Sequence, residues 1–300
     1  MTHLDIIMPV EPRSAADLRV RRLHVSDLRR ALERGAADFW AMPTHVIYLA
    51  MIYPVVGLII GGATYDDDTI QLLYPLVAGL ALLGPVAALF TYELSRRREL
   101  GLDVSWRHAF DVFRSPSLTP IVGLALLLLA TFVVWVACAQ SIYVLLFGER
   151  KIASFFELAQ LVVTTPAGRS LVIYGNLVGA LFAIVVGSMT VFSFPLLLDR
   201  NVSLPTALAT SLRAVWRNLG VMAAWGAIVV GLLLVGAAPF LLGLAVVLPI
   251  LGHATWHLYR MAIEPPPDAR PEYRPSQKGP RYAAQFPASL FARSGDRPEE

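Results

Sequence analysis

The chain is short of charge, short of lysine and nearly devoid of cysteine. Charged residues make up only 16% of the 300 residues, against 56% hydrophobic ones; a soluble domain carries about 25% charge. Such a deficit excludes an ordinary soluble globule, in which most helices need a solvated face. The single cysteine, Cys138, lies inside an apolar run. It excludes an intrachain disulfide, a CxxC redox pair and CxxCH haem attachment, and it reads as a small packing residue. Only Lys151 and Lys278 among the 25 basic residues are lysines, and no dense basic tract with interleaved aromatics occurs. The net charge of +3 therefore does not point to nucleic acid. Phosphate-binding GxxxxGK[ST], dinucleotide-binding GxGxxG and nucleophile-elbow GxSxG patterns are absent. No cleavable signal peptide precedes the first apolar run, which is expected to act as an uncleaved insertion signal.

What is present is length and apolarity. Six runs are long enough to cross about 30 Å of hydrocarbon as helices of roughly 20 residues: 46–63, 70–92, 118–147, 170–198, 219–237 and 240–259. The last two meet at Ala237-Ala238-Pro239, a tight hairpin. Arginine sets the orientation. The N-terminal segment, the 93–117 and 199–218 connections and the C-terminal tail hold 22 of the 25 basic residues; Arg150, Lys151 and Arg169 alone lie on the other side. Both termini are predicted to be cytoplasmic. The acidic loop Asp66-Asp67-Asp68 falls outside.

Each predicted hairpin follows a short amphipathic segment. Leu28, Ala31, Leu32, Phe39 and Trp40 share one helical face; Trp106, Ala109, Phe110 and Phe113 follow the same spacing; Leu204, Leu208, Leu212, Val215 and Trp216 do so again. Apolar stripes bordered by aromatics and arginine suit the membrane interface, and Ser26, Ser105 and Ser203 are candidate caps. Two hairpin ends also match. Pro85, Thr91, Glu93 and Arg96 have the spacing of Pro249, Thr255, His257 and Arg260. Between the third and fourth runs, Ser154 and Glu157 form a capping box for an outer surface helix. The predicted fold is all-α: a polytopic helix bundle of six spans in three hairpins, each preceded by a cytoplasmic interfacial helix. Residues 1–24 are expected to be a flexible cytoplasmic segment, 25–263 the membrane domain, and 264–300, rich in proline and charge, a disordered cytoplasmic tail.

Ionisable side chains within apolar runs are functional candidates. His253 lies within the last run, and His257 is one turn further along the same face. Pro249, one turn earlier, removes the helical donor of the Ala245 carbonyl. His45 and Glu93 sit at the same membrane side. His45, Glu93, His253 and His257 are thus the candidate polar cluster, and His45, His253 and His257 the candidate metal or haem ligands. Two histidines four apart cannot be opposite axial ligands of one haem, and HATWH lacks the general base of HExxH. An interfacial belt of His257, Trp256, Tyr259 and Arg260 is the plainer reading. Gln140, Asn176 and the Gly175/Gly179 pair read as helix packing.

The stretches YPVVGLIIGG, LLYPLVAGLALLGPVAALFTYELSRRRE and PILGHATWHLYR resemble an uncharacterised bacterial family of predicted six-span integral membrane proteins, a domain of unknown function sometimes labelled cytochrome c oxidase subunit I-like. The resemblance spans roughly residues 25–263. It implies an inner-membrane location and no established activity, so no catalytic residue follows from it. Six spans and three membrane-proximal histidines cannot supply an oxidase centre. The sequence leans towards a non-enzymatic membrane protein, in transport or envelope homeostasis. Alternatives are a haem- or metal-binding redox protein and a scaffold recruiting a cytoplasmic partner. The lipid bilayer is the one partner the sequence implies; no cofactor is predicted beyond that haem or metal alternative.

Overall fold

A computed structural model describes residues 18–42, 73–148, 150, 152, 154–239 and 241–264. The expected first span with His45 and the two tails 1–17 and 265–300 lie outside them. Every regular element among the described residues is helical: α1 (Val25–Ala41), α2 (Leu73–Glu99), a 3-10 helix (Trp106–Arg114), α3 (Leu118–Phe147), α4 (Phe155–Thr164), α5 (Pro166–Thr190), α6 (Ser193–Asp199), α7 (Leu204–Arg217), α8 (Leu219–Ala237) and α9 (Leu244–Ala262).

Among the described residues, three helices are long and apolar enough to cross a membrane: α3, the α5–α6 pair and α8. Only 22% and 17% of the most apolar windows of α3 and α8 are covered by protein. Side chains such as Leu126, Val133, Val230 and Leu234 point outward, as helices solvated by lipid require. The α5–α6 break has a specific cause. Ser211 of α7 reaches into it, accepting from the Phe192 N–H and donating to the Ser188 carbonyl. Pro195, without an N–H, cannot restore the ladder. At the other end of α8, Gly236 and Gly243 lie against each other; a Cβ on Gly243 would come 2.8 Å from the Gly236 carbonyl oxygen. The α8–α9 hairpin closes on that contact.

α9 changes character along its length. Val246 near its start is exposed, whereas His253, Ala254, Trp256, Leu258, Tyr259 and Ala262 are fully buried. Most of that second half is covered by α1, its principal neighbour, with α2 beside it. α1 is amphipathic as expected, but its buried stripe is Leu28, Ala31, Gly35, Asp38 and Phe39, and Trp40 faces outward. The close crossing explains the rotation. A Cβ on Gly35 would lie 2.6 to 2.8 Å from Ala254 atoms, backbone included, so only glycine lets the two backbones approach.

The caps differ in part from expectation. Ser203 and Ser154 accept from the N–H groups of Thr206 and Glu157, and Ser105 caps the second segment. For α1 the cap is His24, with Asp27 reaching back to its N–H, and Ser26 is inside the helix. The second amphipathic segment is a 3-10 helix; it buries Ala109 and Val112 and turns its aromatics outward. Residues 18–23, expected to be part of a flexible segment, are packed instead. Leu18 and Leu23 are buried, and Val20 forms an antiparallel bridge with Ile263. Asn218 accepts from the Leu23 N–H and donates to the Arg21 carbonyl, fixing this strap to the start of α8.

Candidate functional site

Three elements meet where the buried half of α9 crosses α1 and α2. α9 supplies His253 and His257, one turn apart on one face. α2 supplies Ser95 and Arg98, and α1 supplies Asp38. Thr91 and Gly252 bring α2 against α9: a Cβ on Gly252 would meet the Thr91 hydroxyl at 2.1 Å. Ser95 and His253 are almost completely buried, and the Asp38 side chain is 7% exposed.

The Asp38 carboxylate is the hub. One oxygen takes the Arg98 guanidinium. The other contacts the Ser95 hydroxyl and, at 2.9 Å, His257 Nε2. Ser95 Oγ also lies 2.7 Å from His253 Nδ1, and the His253 ring hydrogen-bonds the Thr91 backbone. Burial pushes the Asp38 carboxyl upward. The hydrogen bonds from His257 and Ser95, with smaller electrostatic contributions from His257 and His253, outweigh it and hold the group below its ordinary 3.8.

Proton counting shows what this arrangement can do. A serine hydroxyl has one proton to donate. In the tautomer whose Nε2–H is donated to the Thr91 backbone, His253 Nδ1 is an acceptor, and Ser95 then faces two acceptors, Nδ1 and the Asp38 carboxylate, and can satisfy one of them. The other contact becomes a hydrogen bond only when a second proton sits on Nδ1 or on the carboxyl. In that tautomer the serine contacts are one proton short while the imidazole is neutral and the carboxylate ionised; moving the ring proton to Nδ1 satisfies both of them and gives up the Thr91 hydrogen bond instead. It is not a hydrolytic triad. There the histidine stands between serine and acid and takes the serine's proton; here the serine stands between, and it is buried.

Two further ion-pair networks flank the cluster. Glu93 holds Arg96 through two hydrogen bonds of 2.8 and 2.9 Å, and Arg97 pairs with Asp111 at 3.1 Å. Burial lowers the affinity of Arg96 for its proton, but Glu93, with Asp199 and Asp111 beyond it, more than reverses this. On the other side Arg260 pairs with Glu99 and Asp199. Tyr259 donates to Asp199 at 2.6 Å, and Trp256 donates to Glu99.

The matching Thr and Arg positions of α2 and α9 have matching roles. Thr91 and Thr255 return their hydroxyls to their own helix at 2.7 Å, and Arg96 and Arg260 each hold carboxylates. The intervening position differs: Glu93 serves its own helix, whereas His257 reaches across to Asp38.

Of the four residues expected to converge, His253 and His257 do so, through Asp38. The Glu93 carboxylate is taken by Arg96, and His45 lies outside the described residues. Among the described residues no group of three His, Cys, Asp or Glu is placed to hold a metal ion. A described groove is lined by Thr119, Pro120, Gly123 and residues 201–204, away from the histidines. Of the packing candidates, Gly179 leaves room for the Trp135 ring, which a Cβ there would meet at 3.1 Å, while a Cβ on Gly175 would face open space. Asn176 donates within its own helix, to Val172.

Sequence reasoning missed Asp38 and Ser95. For Asp38 a signal existed. It follows Leu28, Ala31 and Gly35 at helical spacing, which places an acid on the apolar stripe. Ser95, in ELSRRRE, carries no such mark. No curated protein and no solved structure matches the chain. Residues 73–199, from α2 through α6 and so short of Asp38, His253 and His257, match the family model described as "Predicted integral membrane protein (DUF2189)", and the chain is an integral membrane protein.

Proposed function

We propose that the chain is a six-span protein of the bacterial inner membrane, arranged as three hairpins with interfacial segments before them and both termini cytoplasmic. The one-sided distribution of arginine supports this. So does the burial of carboxylates beside the clustered Arg96, Arg97 and Arg98, which belong at an aqueous edge. A reporter fused at the C-terminus should be active only in the cytoplasm; periplasmic activity would overturn the topology.

Within that frame the protein is a non-enzymatic, transport-type component whose centre is the Asp38–Ser95–His253–His257 cluster. The observation that carries the reading is the buried Ser95 hydroxyl held between His253 Nδ1 and the Asp38 carboxylate. Ionisable groups inside a membrane domain are costly and mark pathways and proton relays. Here one added proton decides which contacts hold α1, α2 and α9 together, so proton binding and helix position are coupled. The test is full-length protein in proteoliposomes with a trapped pH dye, screened against solutes with and without an imposed proton gradient. Solute-dependent proton movement should occur and should be lost in Asp38→Asn. No movement with any solute, or movement unchanged in Asp38→Asn, overturns the reading.

The scaffold reading retains one supporting observation. Arg21 N–H donates to Ala262 O and Glu264 N–H to Arg19 O, so the chain enters and leaves the described fold at adjacent points. Removing 265–300 should then release any co-purifying cytoplasmic protein; unchanged co-purification would count against it.

A further inference from the structure

The 3-10 helix between α2 and α3 exposes the side chains that a water-facing segment would hide. Trp106 is 51%, Phe110 42% and Phe113 59% exposed. They form one surface with Phe90 of α2. Ring centroids lie 6.3 Å apart for Trp106–Phe110 and 6.4 Å for Phe110–Phe113, with Phe90 at 5.3 and 6.1 Å from the two phenylalanines. A contiguous apolar patch of this kind marks an interaction surface. Its rim is cationic. Arg107 lies over the Trp106 ring at 5.6 Å, and the Arg114 side chain is largely exposed. Asp111, the one acid in the helix, is drawn towards Arg97 at 3.1 Å and is only 3.5 Å from Arg114. α3 follows, with Val122, Leu126 and Leu129 exposed. The placement recurs at Trp40 and Trp216, both exposed at the ends of α1 and α7.

We propose that this patch seats on the headgroup region of the bilayer and selects anionic phospholipid. The rings occupy the interfacial zone that tryptophan favours. The Arg107 and Arg114 guanidinium groups face the lipid phosphates, with the net negative charge of the headgroup supplying the preference. Neutral phospholipid offers the same apolar zone without that charge. The inference rests on the membrane placement proposed above.

Tryptophan quenching in nanodiscs tests both. The full chain is placed in phosphatidylcholine discs containing a minor fraction of brominated phosphatidylglycerol, or the same fraction of brominated phosphatidylcholine. The Trp106 contribution is the difference between the native chain and Trp106→Phe. The anionic quencher should be enriched roughly fivefold at Trp106, the effect of about one favourable arginine contact. Arg107→Gln combined with Arg114→Gln should abolish that preference and leave quenching by both lipids in place. A Trp106 contribution quenched by neither lipid overturns the membrane placement of the patch. Equal quenching by both in the native chain, or a preference that survives the double substitution, overturns the anionic selectivity alone.

Discussion

Ser95 stands between His253 and Asp38, with its Oγ 2.7 Å from the imidazole Nδ1 and in contact with the carboxylate. Three elements widely separated in sequence depend on that hydroxyl and on the Asp38 carboxylate. Stability should therefore respond steeply to both.

Asp38→Ala should cost about 3 kcal/mol, because it strands the buried partners of a carboxylate. Arg98→Ala should cost about 1 kcal/mol, since its side chain is 42% exposed and solvent already screens it. Ser95→Ala should fall between the two. Thermal unfolding of the protein in detergent, with the three substitutions made singly and in pairs, checks the order. Arg98→Ala costing more than Asp38→Ala would remove Asp38 from the hub.

The Asp38 carboxyl is held below its ordinary 3.8, which fixes the sign of a pH effect. A depressed acid contributes stability above its unfolded value and loses it as pH falls through its folded one. The difference in melting temperature between the native chain and Asp38→Asn should stay constant from pH 7 to about pH 4. Below that it should shrink. A difference that vanishes already between pH 7 and pH 5 would contradict the assignment.

Glu93 and Arg96 form a partly buried pair with both oxygens engaged. Glu93→Ala leaves the Arg96 charge behind and should cost about 3 kcal/mol. Glu93→Met combined with Arg96→Met removes both charges and should cost clearly less. Equal losses from the two changes would mean that the pair contributes through packing alone.

Gly35→Ala tests the crossing of α1 and α9. The new methyl meets Ala254 backbone at 2.6 Å, which cannot move aside, and overpacking of this kind costs about 1–3 kcal/mol. Gly252→Ala meets mainly the Thr91 side chain, which can rotate, so it should cost less. Protease susceptibility of α1 should rise in Gly35→Ala and little in Gly252→Ala. The reverse order would place α1 elsewhere.

The membrane-crossing helices were legible in the sequence. The predicted runs 118–147 and 219–237 coincide with α3 and α8, because a helix bathed in lipid is apolar on every side and needs no knowledge of its neighbours. The last run was legible as a helix, but its surroundings were not. The sequence marks it as a span of 240–259 and does not show that the second half of α9 is buried by α1 and carries polar groups that protein partners satisfy.

The candidate site divides in the same way. His253 and His257 stood out as ionisable groups in an apolar run. Asp38 did not, because among Arg29, Arg30, Glu33 and Arg34 an acid looks solvated. Its role is set by which face of α1 turns inward. Trp40 competed for that face with Gly35 and Asp38, and hydrophobicity alone favours the larger side chain. The tight crossing at Ala254 reverses the choice.

By itself, the sequence determined that this chain carries helices suited to a bilayer, the runs 118–147 and 219–237 among them, since solvation by lipid is a local property of composition. Only the tertiary structure decided which carboxylate meets which imidazole. Those partners lie as far apart in sequence as residues 38 and 257, and their meeting depends on where a glycine lets two helices touch.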